Sequence, residues 1–298
     1  MTGSGRLRLE LALPPGYRPD DILRFHARDP EQTAERVEGR LLVKGFAWRG
    51  APAALQVNFE GRSARVEVQL GRDLGNGDEQ ALTRLCQCLL GLTQSVEAFE
   101  AAHGGHPDVG RLIRARPGLR VAQAATPFEA ATWAVIGQQI SVSAATAVRR
   151  KLIRAAGLWH PAGVHAYPDA AGLAAMDEDS LRATGLSRTK ADTIRALSEG
   201  VIRGELPLGA SAELADVDDL RERLRVIRGV GPWTVNYTLL RGFAWLDGAM
   251  EGDLGVRRSL QSLLGRQEQP GERETGHWLA QFSPWRALVA AHLWAMGP

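Results

Sequence analysis

The sequence contains no apolar run of about 18 residues or more, so it predicts no membrane-spanning helix. Its first residues, 1–13, alternate polar and apolar side chains and include the acidic Glu10. A secretory signal would instead place basic residues before an apolar run. We therefore expect a cytoplasmic protein with no membrane partner.

Cysteine is scarce, with Cys86 and Cys88 the only two among 298 residues. They lie two positions apart in a predicted helix, where their side chains point in different directions and would form a poor disulfide. Two thiolates are also too few for a four-cysteine iron–sulfur cluster. The sequence thus argues against both an internal disulfide and a cysteine-ligated cluster.

A large excess of charge of one sign is also missing, because 36 basic residues face 34 acidic ones. This balance does not by itself indicate nucleic-acid binding. The cations do form two local runs, which are Arg111, Arg114, Arg116 and Arg120, and then Arg149, Arg150, Lys151 and Arg154. Such runs fit either phosphate contacts or solvated helix faces, and both interpretations stay open.

The type of periodicity changes near residue 92. Before it, alternating residues predict strands, and two short segments predict helices. The strands are at 6–13, 36–48, 53–60 and 63–71, and the helices at 19–28 and 78–91. After it, strand patterns vanish and only helices are predicted. We expect an α+β fold, with a small antiparallel-sheet domain over 1–92 and an all-α domain of two lobes over 93–298.

The most informative segment is 223–242, in which two apolar-periodic helices flank Gly229-Val230-Gly231-Pro232. The glycines allow positive φ and close backbone approach, and Pro232 suits the first turn of a helix. Unpaired amides at Gly229, Gly231 and the second helix's N-terminus would then form a site for a phosphate. A plain helical hairpin is the alternative, and Gly-x-Gly alone favours it.

A second feature is Gly248-Ala249-Met250-Glu251-Gly252-Asp253, which places Asp253 22 positions beyond Gly231 and just before a predicted helix. An isolated aspartate at this position is most simply an N-cap. Its spacing from the hairpin is also compatible with a functional role.

The segment 223–242 resembles the helix-hairpin-helix (HhH-GPD) DNA glycosylase superfamily, with apolar Ile227, then Gly-Val-Gly, then Trp233-Thr234. That superfamily places a catalytic aspartate downstream of the hairpin, so the resemblance implies this role for Asp253. It also implies that the backbone carbonyl oxygens of Arg225, Ile227 and Val230 hold a monovalent cation, Na⁺ or K⁺. No other cofactor is implied.

Within the superfamily, the chain most resembles the inducible bacterial 3-methyladenine DNA glycosylase II (AlkA-type). The stretch 116–143, the tail from Pro284 to Trp294 and the sheet domain carry this resemblance. It implies that Gln139 occupies the family's intercalating position, where a polar residue is a departure. The implied DNA-binding residues are Gln138, Gln139, Gly229, Val230, Gly231 and Thr234.

The implied chemistry begins with a nucleotide turned out of the duplex. Trp233, Tyr237 and Trp294 are then expected around the base, because electron-rich rings attract the positively charged alkylated purines. Ordinary core packing is the alternative for each. Asp253 would stabilise the oxocarbenium character that develops on the sugar and position water.

Bifunctional members of the superfamily carry a lysine nucleophile where this chain has Trp233. We therefore predict a monofunctional hydrolase without abasic-site lyase activity, a monomer acting on damaged duplex DNA. Two alternatives remain: a glycosylase for deaminated or oxidised bases, and a non-catalytic DNA-binding protein in which Asp253 only caps a helix.

Overall fold

The alternating segments near the N-terminus form a five-stranded antiparallel sheet in the order β1-β5-β4-β3-β2. These strands are β1 (Arg6–Ala12), β2 (Glu35–Glu38), β3 (Leu41–Trp48), β4 (Ala51–Glu60) and β5 (Ser63–Leu70). The computed structural model describes residues 5–297. The segment expected over 36–48 is broken at Gly39, which turns the chain with φ at +59° and separates β2 from β3.

Two helices pack against this sheet, α1 (Pro19–His26) and α2 (Asp78–Leu89). Leu55 pairs with Val68 and Val57 with Val66 across β4 and β5, so alternate residues present one apolar face. The apolar stripe of α2 is buried against that face, as its helical spacing predicts.

The remaining chain is helical, which confirms the α+β fold class. Its helices are α3 (Val96–His103), α4 (Val109–Ala115), α5 (Pro127–Gly137), α6 (Val142–Ala156), α7 (Ala170–Ala174), α8 (Glu178–Ala183), α9 (Arg188–Ile202), α10 (Val217–Arg225), α11 (Pro232–Phe243), α12 (Leu254–Leu263), α13 (Glu272–Ala280) and α14 (Arg286–Met296). One departure is a hairpin of two-residue strands, β6 (Trp159–His160) and β7 (Val164–His165). None of the helices in residues 5–297 is long and apolar enough to cross a membrane.

The helices enclose two hydrophobic cores. One core holds α3, α4, α12 and α14, and the other holds α6, α7, α9 and α10. Helices α5 and α11 contribute to both, with Ala134 and Tyr237 in the first core and Val135 and Leu239 in the second. These two helices therefore form the partition between two lobes.

Backbone contacts attach the sheet to the helical part of the chain. Ala47 donates its amide to Tyr167 O at 2.9 Å, which extends the edge of β3. A Cβ atom at Gly45 would lie 2.1 Å from His165 O, so this close approach requires glycine. The sheet thus packs directly on the segment after β7. The domain boundary at 92 stays a prediction.

Part of the two cationic runs makes contacts within the protein, whereas Arg111, Arg114 and Lys151 are exposed, so the phosphate and solvated-face interpretations both stay open. Arg120 is buried and donates to Gly91 O and Gln94 O. Arg149 is buried in an ion-pair cluster, and Arg150 and Arg154 pair with acidic residues of the α1–β2 loop. These four arginines are hydrogen-bonded or ion-paired within the protein.

Candidate active site and DNA-binding cleft

An open cleft lies where the two lobes meet. It is bordered by the C-terminal end of α5, the α10–α11 hairpin, the start of α12 and the end of α14. The candidate residues that line it are Gln138, Gln139, Gly229, Val230, Gly231, Trp233, Thr234, Tyr237, Asp253 and Trp294. Residues far apart in the sequence therefore converge on one surface.

Asp253 is held at the cleft by three hydrogen bonds. It is the N-cap of α12, where its Oδ1 accepts from the amide of Val256 at 2.9 Å. The same oxygen accepts from the indole nitrogen of Trp294 at 2.9 Å, and Oδ2 accepts from the indole nitrogen of Trp233 at 2.9 Å. The carboxylate is thus fixed between two aromatic rings and a helix N-terminus.

The aromatic side of the cleft is built around these two indoles. The rings of Trp233 and Tyr237 lie 5.2 Å apart and are tilted by 34°. Behind them, the guanidinium of Arg241 lies 5.5 Å from the Trp294 ring and 5.9 Å from the Tyr237 ring. Burial lowers the pKa of Arg241 to about 10. Arg241 donates to Ala122 O at 2.6 Å, which ties α11 to the segment before α5.

The hairpin turns between α10 and α11 with only one glycine in the left-handed region. Gly229 has φ at +92°, and a Cβ atom there would lie 2.2 Å from Thr193 Oγ1. Gly231 is extended, with φ at −97°, so the expectation of positive φ applies to Gly229 alone. Gly231 is the N-cap of α11 and offers no side-chain cap.

The exposed N-terminus of α11 therefore leaves its first amides without an intrahelical acceptor. Apart from its chain neighbours, no described atom lies within 4 Å of a Cβ built on Gly231, so the space beside the start of α11 is open. Such a helix start attracts an anion such as phosphate. Of the three carbonyls implied in cation binding, Ile227 O accepts the Val230 amide at 3.0 Å. No such backbone bond to the oxygens of Arg225 or Val230 occurs in the part of the chain that the structure describes.

The turn after α5 lies beside the hairpin at the edge of the cleft. The side-chain amide of Gln138 donates to Gly229 O and to Thr234 Oγ1, both at 2.9 Å. Gln139 is exposed and has φ at +58°, an unusual conformation for a residue other than glycine. Gln138 thus braces the hairpin, while Gln139 projects from the rim.

Other charged and aromatic side chains line the cleft without any motif to mark them. They are Arg28, Trp133, Arg241, Glu251 and Glu272. Trp133 packs against both hydrophobic cores from the partition helix α5. Because its neighbours come from distant parts of the chain, periodicity alone gives no signal for it.

Comparisons with known proteins agree with this geometry. Residues 132–284 match the family described as HhH-GPD superfamily base excision DNA repair protein. The chain belongs to this superfamily. The resemblance seen in the hairpin is therefore confirmed, and the cleft lies almost entirely within the matched region.

The chain is similar over different lengths to other superfamily proteins. It is 31% identical to a probable bifunctional transcriptional activator/DNA repair enzyme AlkA from Mycobacterium tuberculosis, over 73% of this chain and 43% of that protein. The match thus spans less than half of that relative's length. A DNA-3-methyladenine glycosylase from Bacillus subtilis is 26% identical over 95% of both chains.

A solved structure shares the same fold across nearly the whole chain. The 3-methyladenine DNA-glycosylase from Archaeoglobus fulgidus superimposes with a TM-score of 0.79 over 97% of both chains. At 22% identity, this similarity supports the shared architecture of sheet and helical lobes and nothing finer.

Proposed function

We propose that this protein is a monofunctional DNA N-glycosylase that releases alkylated purines of the 3-methyladenine type from duplex DNA. The observation that carries the proposal is the position of Asp253, whose carboxylate is fixed in the cleft beside Trp233 and Trp294. The activity of relatives named 3-methyladenine glycosylases is consistent with it.

The reaction is a hydrolysis that breaks the bond between sugar C1′ and the base. A carboxylate has about four lone-pair positions, of which the hydrogen bonds to Asp253 use three. The free position is on Oδ2. There it can stabilise positive charge at C1′ and orient the attacking water, while the base leaves with the bonding electrons.

Recognition is assigned to two surfaces of the cleft. The start of α11 binds a DNA phosphate without reading the base sequence. The protein acts on the duplex as a monomer. We propose a monovalent cation beside the phosphate, held by the backbone oxygens of Arg225, Ile227 and Val230, of which Arg225 O and Val230 O have no described backbone donor. The rings of Trp233, Tyr237 and Trp294 would receive the extruded base. Positive charge on an alkylated purine favours such rings.

The monofunctional assignment rests on lysine chemistry. A lyase needs an amine that attacks C1′. Trp233 stands at the superfamily's lysine position, and no lysine is among the described residues that line the cleft. We therefore expect an abasic product with an intact strand.

The test is base release from duplexes containing 3-methyladenine or 7-methylguanine, and separately hypoxanthine or 8-oxoguanine, followed by chromatography. Asp253→Asn should lower the single-turnover rate by at least about a hundredfold, because asparagine lacks the negative charge. Asparagine is an equally good N-cap, so α12 should stay folded. Asp177→Asn is the matched control, since Asp177 caps α8 through Ser180 N at 2.7 Å outside the cleft.

Three outcomes would contradict parts of the proposal. Undiminished release by Asp253→Asn would remove Asp253 from the chemistry. Release of only deaminated or oxidised bases would reassign the substrate class. Strand cleavage at the abasic site without added base or heat would contradict the monofunctional assignment.

A further inference from the structure

Lys190, on the first turn of α9, reaches the cleft's supporting framework without lining the cleft. Its ammonium donates to Ile136 O and to Gln138 O, both at 2.8 Å. Within residues 5–297, no carboxylate lies within ion-pair distance of it. The Lys190 ammonium therefore hydrogen-bonds to backbone carbonyl oxygens at the end of α5 and forms no ion pair among the described residues.

The end of α5 is where such a cation has most effect. The last carbonyls of a helix lack intrahelical donors and carry the negative end of the helix dipole. Here the chain leaves the helix at Gln138 and then enters the left-handed region at Gln139. Lys190 supplies donors on both sides of this exit, so it fixes the direction in which the turn leaves α5.

The same face of α9 also contacts the hairpin. Thr193, three residues after Lys190 and on the same helix face, shares its hydroxyl proton between Thr189 O and Arg228 O, each 2.8 Å from Oγ1. Gln138 completes the link, because its side chain donates to Gly229 O while its own carbonyl accepts from Lys190. One turn of α9 thus holds both the hairpin and the 138–139 turn.

We propose that Lys190 is a positioning residue for nucleotide extrusion, holding the 138–139 turn at a fixed distance from the phosphate-binding hairpin. This rests on the proposed glycosylase function. When the hairpin binds a phosphate of the duplex, Gln139 must lie beside the lesion if it is to fill the space that the extruded base leaves. A displacement of about 1 Å at such a contact is sufficient to slow a reaction markedly.

The experiment compares two duplexes with the same lesion, 7-methylguanine, placed opposite cytosine or opposite a tetrahydrofuran abasic analogue. Extrusion costs less from the second duplex because the base has no partner. Lys190→Met should slow single-turnover release at least about tenfold more from the paired duplex than from the unpaired one. The ratio of the two release rates, measured with one variant, does not depend on the fraction of that protein that is folded. Lys190→Arg should restore most of the paired-duplex rate.

Arg203→Met is the matched control, because it removes one positive charge from the far end of the same helix, where Arg203 pairs with Glu205. It should leave the ratio unchanged. Equal slowing of both duplexes by Lys190→Met, or no slowing, would overturn the proposal.

A second measurement does not require catalysis. A 2-aminopurine base paired with thymine reports unstacking by its fluorescence when protein binds. Lys190→Met should bind the duplex but give a smaller increase than wild type, and an equal increase would overturn the proposal. If wild type released no base from either duplex, the proposed function would fail while this measurement still tested Lys190.

Discussion

Asp253 has two structural roles that are compatible with each other. It caps α12 through Val256 N, and it also accepts both indole donors from Trp233 and Trp294. The sequence left the cap and the catalytic interpretations as alternatives. The cap fixes the backbone of Asp253, and the indoles fix its side chain, so the capping role is compatible with the proposed catalytic role.

His292 is a residue at which folding itself should depend on pH. It is buried on α14, where its ring centroid lies 5.6 Å from that of Phe99. Burial lowers its pKa from 6.5 to about 4. Between these values the unfolded chain binds a proton that the folded protein does not, so stability falls as pH drops from 6.5 towards 4. The full contribution of His292 is about 3 kcal/mol.

Urea unfolding of wild type and His292→Gln at pH 7 and pH 4.5 checks this. The free energy of unfolding should fall less in the variant, because glutamine does not titrate. His277→Gln is the control, since His277 is exposed on α13. If all three proteins lost the same free energy on acidification, His292 would not be a buried neutral group.

The hairpin is the element whose form was most predictable from sequence, since its determinants are local. Pro232 at the first turn of α11 and the left-handed Gly229 follow from the residue types themselves. The contact that makes Gly229 necessary was not predictable, because Thr193 lies on another helix. The conformation of Gly231 was also missed, since glycine permits extended and left-handed backbone alike.

This difference between the glycines gives a prediction for the element. At Gly231, extended backbone and open space accommodate a side chain, and aspartate is a favourable N-cap. Gly231→Asp should therefore fold normally. It should weaken duplex binding about tenfold or more and reduce the salt slope, because its carboxylate repels the phosphate. Titrations at several salt concentrations measure both.

Gly231→Asn separates charge from bulk, since it has the same shape and is also a good cap. It should retain more affinity than Gly231→Asp. Equal affinity and equal salt slope for the two variants would show that no phosphate lies at the start of α11.

At the scale of the whole molecule, the fold class and the order of most elements were predictable, but the β6–β7 hairpin and the assembly of the cleft were not. Local periodicity gives strands and helices, whereas Trp133 and Lys190 have their roles only through packing between distant segments. The attachment of the sheet depends on such contacts as well. Lys44 and Glu129 form an ion pair although they are 85 positions apart.

That ion pair belongs to a buried cluster of two cations and two carboxylates, which joins the sheet to the helices beside the cleft. Lys44 on β3 contacts Glu35 at 2.6 Å and Glu129 at 2.9 Å, and Arg149 on α6 contacts both carboxylates at 2.7 Å. Burial alone would raise the pKa of Glu35, but Arg149 and Lys44 lower it below its usual range. The cluster is neutral only when complete.

Lys44→Met should therefore destabilise the protein by about 3–5 kcal/mol, since it leaves one negative charge uncompensated in the interior. Urea unfolding at pH 7 measures the loss. The double variant Lys44→Met, Glu35→Gln restores neutrality and should recover part of it. Arg65→Met is the control, because Arg65 pairs with Glu60 at the exposed surface of the same sheet and should cost less than about 1 kcal/mol. Equal losses for Lys44→Met and Arg65→Met would mean that the cluster does not hold the sheet against α5 and α6.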